Sequence, residues 1–153
     1  MKFLADRTVG RLARYLRMLG HDTAWDARFD AQGLLSRAAA EGRTLLTRDT
    51  LLVQRRAVRR GVVQAVLVRD DQVVDQLKQL RGELGLHREG PSRCLVCNAS
   101  LQELSPAAVK DRVPPYVAAT QASFRYCPVC DRITWAATHW EDMERRLREA
   151  GFA

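Results

Sequence analysis

The sequence predicts an α/β fold, with a parallel sheet flanked by helices in residues 1–90 and a smaller, cysteine-bearing region in residues 91–153. Short apolar segments typical of strands alternate with amphipathic segments of helical periodicity as far as residue 86. This alternation is typical of a parallel sheet with helices on its faces. It then stops, and all four cysteines lie in the remainder of the chain. A length of 153 residues suits one domain with a small appendage.

The first part of the chain is predicted to contain four strands, each followed by a helix. The strands are expected at residues 2–6, 23–26, 44–47 and 62–68, and the helices at residues 8–19, 31–40, 49–60 and 70–84. Gly20, Gly42 and Gly61 lie one or two residues after the first three helical segments. Glycine is common just past the last residue of a helix, so these three positions are expected to end the helices.

One further helix is predicted near the C-terminal end, at residues 138–149, beyond a linker at residues 87–93. Thr138 is expected as its N-cap, because Glu141 follows three residues later with the spacing of a capping box. No uncharged apolar stretch approaches the roughly 18 residues that a membrane-spanning helix needs. The apolar run at the start of the chain is short, so no secretory signal is expected and the expected location is the cytoplasm.

The four cysteines form two C-x-x-C pairs, Cys94 with Cys97 and Cys127 with Cys130, separated by 29 residues. Disulfides are not expected in a chain without a secretion signal. Two such pairs are typical of a zinc site with four thiolate ligands. Such a site is structural, because four thiolates leave no coordination position for water. A redox dithiol is the alternative interpretation, although a thioredoxin-type site needs only one C-x-x-C motif.

Aspartates recur directly after predicted strands and at the starts of predicted helices. Asp6 and Asp49 follow separate strands, Asp30 precedes the helix between them, and Asp26 is a reserve candidate after the second strand. The carboxyl ends of parallel strands share one edge of a sheet, so Asp6, Asp30 and Asp49 are expected to converge there. Clustered carboxylates usually hold a hard cation such as Mg²⁺ or Mn²⁺, which can activate water for attack on a phosphodiester. Helix capping is the alternative role for any one of them.

The charge of the chain favours a polyanionic partner. Its formal net charge is +7, and its three lysines leave 22 arginines among the 25 cationic side chains. Arginine binds phosphate in a bidentate manner and stacks on bases, although a GC-rich coding sequence is an alternative cause of the bias. The positive field belongs to residues 1–90, which contain 17 cationic and 11 acidic side chains. The residues predicted to contact nucleic acid are Arg7, Arg11 and Arg14, on the polar face of the first helix, and Arg48, beside Asp49.

Other residues carry weaker predictions. No Ser-His-Asp pattern, P-loop or dinucleotide-binding fingerprint is present. Trp25 and Phe29 are able to stack on bases, but isolated aromatic residues lie more often in the core, which is where both are expected. His139 is expected to pack or to form a hydrogen bond rather than to bind zinc, because four cysteines already supply the ligands.

Several stretches of the chain, together and in this order, resemble the Mut-seven C-terminal RNase domain family. They are FLAD at residues 3–6, GRLARYLRMLG at 10–20, LLTRD at 45–49, RCLVCN at 93–98, VP at 113–114, CPVC at 127–130 and THW at 138–140. The resemblance covers nearly the whole chain. It implies a PIN-like nuclease domain with a zinc ribbon at its C-terminal end.

The resemblance also implies an activity, the metal-dependent cleavage of RNA by an acidic cluster. Asp6 matches the first aspartate of the PIN pattern, Asp49 matches the aspartate of its threonine-x-aspartate segment, and Asp30 falls at the acidic position before the middle helix. We therefore predict a ribonuclease that prefers single-stranded RNA, with Mg²⁺ or Mn²⁺ at these aspartates and a structural Zn²⁺ in the ribbon. The alternatives are a non-catalytic RNA-binding module of the same shape, and a zinc-dependent adaptor that docks a partner through residues 94–153.

Overall fold

The structure, a computed structural model, describes residues 1–25, 27 and 30–153 and contains one parallel and one antiparallel sheet. The strands are β1 (Lys2–Ala5), β2 (Asp22–Trp25), β3 (Thr44–Thr47), β4 (Ala65–Leu67), β5 (Gln102–Leu104), β6 (Phe124–Cys127) and β7 (Arg132–Thr134). The helices are α1 (Gly10–Met18), α2 (Ala31–Glu41), α3 (Arg56–Arg59), α4 (Val73–Leu84), α5 (Pro106–Val109), α6 (Pro115–Thr120) and α7 (Thr138–Glu149), with 3₁₀ turns at Arg7–Val9 and Leu52–Gln54. Within the described residues, no helix has the length and apolar character to cross a bilayer.

The parallel sheet has the strand order β2-β1-β3-β4, which places β1 and β3 side by side at its centre. The chain passes from β1 outward to β2, then returns across β1 to add β3 and β4 on the other side. Leu4 and Leu45 pair in register between the two central strands, and both are fully buried. Strand order thus reverses between β1 and β3, and ligands bind in open α/β sheets at such a reversal, outside the carboxyl ends of the strands.

Helices cover both faces of the parallel sheet, as the predicted α/β class requires. On one face, α1 and α4 bury Leu12 and Leu77 against the sheet. On the other face, α2 buries Leu35. The C-terminal helix α7 joins the first of these cores, where it buries Met143 and Leu147 next to α4. The end of the chain is therefore built onto the parallel-sheet side of the molecule, although it follows the antiparallel sheet in sequence.

The third predicted helix, at residues 49–60, is wrong in extent. These residues form a 3₁₀ turn and then the four-residue helix α3, because Arg55 between them has an extended backbone with a ψ of 150°. Leu52 on the 3₁₀ turn is buried in the core that also contains Leu35. Packing of this side chain outweighs the local helical propensity of the segment.

Two smaller expectations at the ends of elements are also wrong. The fourth strand is limited to Ala65–Leu67, the residues that lie in register with β3, and Val62 is exposed. At the C-terminal helix the N-cap position belongs to Ala137, so Thr138 is the first helical residue and forms no capping box. The backbone amide of Glu141 donates to the carbonyl oxygen of Ala137 instead.

The antiparallel sheet has the order β5-β6-β7 and its own small core around Val109, Val113 and Phe124. Together with the two cysteine pairs it forms the ribbon that the sequence predicts. The small core is separate from the two cores of the parallel sheet. The relative placement of ribbon and parallel sheet therefore depends on polar contacts as well as on α7.

A buried arginine connects α1 to the ribbon. Arg17 is only 5% exposed, and its Nε donates to the carbonyl oxygen of Thr23 on β2 at 2.9 Å. Its Nη1 donates to the carbonyl oxygens of Leu95 and Val96, at 2.9 Å and 3.2 Å. These two residues lie between the first pair of cysteines, in a segment that we call the first knuckle (residues 94–98). One guanidinium group thus fixes a helix, a strand and the knuckle relative to one another.

Candidate active site and zinc centre

Asp6 lies directly after β1, at the carboxyl end of a central strand, and it is 5% exposed. Its backbone amide donates to the carbonyl oxygen of Leu46 on β3 at 3.2 Å. Its carbonyl oxygen accepts from the indole Nε1 of Trp25, at the end of β2, at 3.0 Å. The neighbouring strands therefore hold the backbone of Asp6 from both sides. A nearly buried carboxylate in this position needs polar partners, because its desolvation is otherwise costly.

Two threonine hydroxyl groups bind the carboxylate of Asp6. Thr8 donates to Oδ1, and Thr47, the last residue of β3, donates to Oδ2. Each hydroxyl oxygen also accepts from a backbone amide, that of Arg48 at Thr8 (3.0 Å) and that of Asp49 at Thr47 (2.9 Å). The carboxylate of Asp6 is thus connected through single hydroxyl groups to the loop that carries Arg48 and Asp49.

Neither threonine is among the site residues predicted from the sequence. Thr8 has a local signal, because its backbone amide also donates to Asp6 Oδ1 at 2.9 Å, in the turn that aspartate commonly forms with the residue two positions on. Thr47 has none, because threonine is common in strands. Its contact with Asp6 exists only because β3 lies beside β1 in the folded sheet.

The other two predicted metal ligands, Asp49 and Asp30, are exposed. Oδ1 of Asp49 accepts from the backbone amide of Leu51 at 2.9 Å. Oδ1 of Asp30 accepts from the backbone amide of Gly33 at 2.7 Å, so Asp30 is the N-cap of α2. Capping does not prevent metal binding, because a carboxylate has further lone pairs for a cation.

The structure brings two of the three predicted ligands to adjacent strand ends. Asp6 and Asp49 lie on either side of the reversal between β1 and β3, joined through the hydroxyl of Thr47. In the described part of the chain, the aspartates form no group of three whose ligand atoms lie within 4.8 Å of one another. Asp30 belongs to a separate element, and Asp26 lies outside the described residues, as does Phe29.

The four arginines predicted to contact nucleic acid, Arg7, Arg11, Arg14 and Arg48, are all exposed. Arg7 directly follows Asp6, and Arg48 directly precedes Asp49, so a positive side chain adjoins each aspartate of the central pair. Arg14 Nη2 lies 3.2 Å from Nε2 of His139 on α7. His139 therefore has the hydrogen-bonding role expected for it.

The four cysteines meet in the ribbon, with their Sγ atoms all within 4.8 Å of one another. Sγ of Cys94 lies 4.0 Å from that of Cys130, and Sγ of Cys97 lies 3.4 Å from that of Cys127. Both distances are far above the roughly 2.0 Å of a disulfide, and all four thiols are free. Sulfurs at about 2.3 Å from a tetrahedral zinc ion are about 3.8 Å apart, so the donor set fits zinc.

The close approach of the thiols shifts the pKa values of Cys127 and Cys130 in opposite directions. Burial opposes ionisation of Cys127, but hydrogen bonds with the backbone amide of Cys130, the side chain of Cys97 and the backbone amide of Val129 outweigh it and lower the pKa of this thiol to about 7. The hydrogen bond with Cys97 raises the pKa of Cys130 to about 12. Thiolates this close repel one another, so all four ionise together only around a cation.

A left-handed residue follows each cysteine pair. Asn98 has a φ of 76° and Asp131 a φ of 52°, and these residue types tolerate this region better than other non-glycine residues. The side chain of Asn98 also donates to Asp22 Oδ1 at 2.7 Å and accepts from the backbone amide of Thr23 at 2.9 Å. The first knuckle is therefore anchored to the edge strand β2 as well as to α1.

The family model described as the Mut7-C RNAse domain matches residues 1–147, nearly the whole chain. No curated protein and no solved structure matches the chain. The matched range includes the edge of the parallel sheet with Asp6 and Asp49 as well as all four cysteines.

Proposed function

The chain belongs to the Mut7-C RNase domain family, and on this basis we propose that it is a metal-dependent ribonuclease that cleaves single-stranded RNA. Membership of the family supports a nuclease-like function with RNA as the substrate. We further assign a catalytic Mg²⁺ or Mn²⁺ ion to the edge of the parallel sheet, with Asp6, Asp30 and Asp49 as its ligands.

The buried carboxylate of Asp6 supports this proposal more than any other observation. It lies at the reversal of strand order, where open α/β sheets bind their ligands, and it is 5% exposed. Burying a carboxylate costs free energy even when hydroxyl groups bind it. An apolar residue would fill a purely structural position at lower cost, whereas strained or buried ionisable groups are typical of functional sites.

The oxygen donors at this edge suit a hard divalent cation. Mg²⁺ commonly binds through one or two carboxylates, several waters and the phosphate of the substrate. Asp6 and Asp49 would supply the two carboxylates, and Asp30 would supply a third from the start of α2. When bound, the ion would lower the pKa of a coordinated water and offset the charge that develops on the phosphate.

The protein side chains would position the substrate around this pair of aspartates. Thr8 and Thr47 hold the carboxylate of Asp6 in one orientation through its two oxygens. Arg7 and Arg48 would bind phosphates beside the scissile bond, because guanidinium groups bind phosphate oxygens in pairs. Fixing the strand in this way lowers the entropic part of the barrier to cleavage.

We propose a structural zinc ion for the four cysteines. The ion would hold the first knuckle rigid, and the carbonyl oxygens of Leu95 and Val96 in that knuckle accept hydrogen bonds from Arg17. Arg17 belongs to α1, whose exposed face carries Arg11 and Arg14. Zinc would thereby contribute to RNA binding indirectly, by fixing the helix that carries two of the phosphate-binding residues.

The test is the Asp6→Asn variant. Asparagine has nearly the same size as aspartate but no charge, so we expect cleavage of a labelled single-stranded RNA in Mn²⁺ to be lost. Asp75→Asn serves as a matched control, because Asp75 is an exposed aspartate in the first turn of α4. Circular dichroism and zinc content should be unchanged in both variants.

Two results would contradict the proposal. Undiminished cleavage by the Asp6→Asn variant would remove Asp6 from the site, and the companion variant Asp49→Asn would test its partner in the same way. Binding of RNA without any cleavage in Mg²⁺ or Mn²⁺ would instead favour the non-catalytic RNA-binding module.

A further inference from the structure

An open groove of about 470 Å³ lies between α1 and the first knuckle, beside the sheet edge that carries Asp6. The residues that line it include Gly10, Arg11, Arg14, Trp25, Leu95 and Val96. The groove combines an aromatic ring, two exposed arginines and an exposed apolar residue, Val96. None of these features is needed to hold the metal ion proposed for Asp6 and Asp49.

Trp25 is the unusual residue of this groove. It is 42% exposed, so the expectation that it lies in the core is wrong. Its Nε1 donates to the carbonyl oxygen of Asp6, which fixes the indole next to the proposed catalytic carboxylate. The exposed part of the ring lines the groove, where a ligand can reach it. Its exposed aromatic surface is therefore available for stacking.

Gly10 allows the indole to lie close against the start of α1. A Cβ atom at position 10 would meet Nε1 of Trp25 at 3.1 Å and two further ring atoms at 3.2 Å and 3.3 Å. Such contacts are tighter than ordinary packing, so even an alanine at this position requires the ring to shift by a few tenths of an ångström. The glycine and the hydrogen bond to Asp6 together hold the indole in one place.

The opposite wall of the groove is also held in place. Arg17 donates to the carbonyl oxygens of both Leu95 and Val96, and it is nearly buried. The knuckle therefore cannot move away from α1 without breaking these hydrogen bonds. A groove that is already formed loses little entropy when a ligand enters, which favours binding.

We propose that this groove binds one unpaired nucleotide next to the scissile phosphate, with its base stacked on Trp25 and its phosphate bound by Arg11 and Arg14. A base offers its face to an aromatic ring only when it is unpaired, so the groove selects single-stranded RNA over duplex RNA. Arginines rimming an aromatic platform are complementary to a phosphodiester chain. This assignment rests on the proposed ribonuclease function, because it defines the substrate of the same edge.

The first test measures binding without cleavage, in a buffer that contains neither Mg²⁺ nor Mn²⁺. We expect Trp25→Ala to raise the Kd for a fluorescent eight-nucleotide single-stranded RNA by about 5- to 150-fold, the range for loss of one base–aromatic stack. Trp25→Phe keeps a stacking ring but loses the Nε1 hydrogen bond that positions it, so its loss of affinity should be smaller than that of Trp25→Ala. Tyr116→Ala is the matched control, because Tyr116 is 78% exposed on α6, and its Kd should stay within about twofold of the original.

A second test changes the RNA instead of the protein. Abasic sites introduced one at a time should weaken binding to the unchanged protein at one position of the oligonucleotide. In the Trp25→Ala variant the same abasic site should have no further effect, since the stacking partner is already absent. Gly10→Ala should reproduce part of the loss, because it displaces the ring without removing it.

The results separate this inference from the proposed chemistry. An unchanged Kd in Trp25→Ala, an equal loss on single-stranded and duplex RNA, or an abasic penalty that persists in the variant would each overturn the nucleotide-binding groove. The first of these results would also be expected if the groove held a peptide of a partner protein. If one abasic site weakens binding only when Trp25 is present, but the protein never cleaves RNA, the nucleotide-binding groove is supported and the ribonuclease proposal is refuted.

Discussion

Replacing Thr47 with valine removes a single hydroxyl group from the interior beside Asp6. Thr47 is fully buried at the end of β3, and valine has nearly the same shape. The hydroxyl donates to Oδ2 of Asp6 and accepts from the backbone amide of Asp49. The substitution therefore tests whether this hydroxyl holds the carboxylate in place, without opening a cavity.

The expected cost follows from these two hydrogen bonds. A hydrogen bond to a charged group contributes about 1.5–3 kcal/mol to stability. Loss of the second hydrogen bond, from the backbone amide of Asp49, adds little to this cost, because Asp49 is exposed and water can replace the lost acceptor. We expect the free energy of unfolding to fall by about 2–3 kcal/mol, which corresponds to a fall in Tm of about 4–12 °C for a chain of this size.

Urea denaturation followed by circular dichroism measures this change, with zinc kept saturating so that the ribbon stays folded. The slope of the transition should be unchanged while its midpoint falls. Thr44→Val is the matched control, because Thr44 begins the same strand and is half-buried. The free energy of unfolding of this control should stay within about 0.5 kcal/mol of that of the unchanged protein. If Thr47→Val costs no more than this control, the hydroxyl does not hold the carboxylate and the reasoning from the network fails.

Two further predictions concern the junction of α1 with the ribbon and the ribbon itself. Arg17→Met removes three hydrogen bonds to backbone carbonyl groups and should lower the free energy of unfolding by about 3 kcal/mol or more. The control Arg14→Met, on the exposed face of the same helix, should lower it by less than about 1 kcal/mol. Equal effects of the two substitutions in thermal denaturation would contradict the role of Arg17. Purified protein should contain one zinc ion per chain, and Cys127→Ser should abolish zinc binding. Removal of the zinc by a chelator should lower the Tm, and added zinc should restore it. A chelator that leaves the Tm unchanged would refute the structural role of zinc.

Short-range patterns in the sequence were sufficient for most elements of the parallel-sheet region and for the grouping of the cysteines. The apolar alternation in residues 1–86 predicted the parallel sheet, because strand and helix periodicities are properties of neighbouring residues. Gly42 ends α2 with a left-handed backbone, as its position after the helical segment predicted. The spacing within each C-x-x-C pair similarly predicted that the sulfurs of one pair would face the same point.

Long-range packing decided the features that the sequence did not predict. The segment at 49–60 is broken because Leu52 is buried beneath the sheet, a contact invisible in local periodicity. Arg17 carries the same charge as its exposed neighbours on α1, yet it is buried because carbonyl groups of β2 and the first knuckle lie within its reach. Trp25 is exposed for the converse reason, since its ring is held at the edge by Asp6 and Gly10.

The α/β class, the aspartates that follow the strands and the two cysteine pairs could be predicted from the sequence, because each depends on residue type and on spacing along the chain. The pairing of β3 with β1 became evident only in the folded sheet, and so did the contacts between Asp6, Thr47 and Asp49. The order of strands in a sheet depends on which apolar faces pack together, and many orders are compatible with one pattern of alternation. The residues of the site can therefore be recognised one by one in the sequence, but they form a hydrogen-bonded network only when β1 and β3 pair in the folded protein.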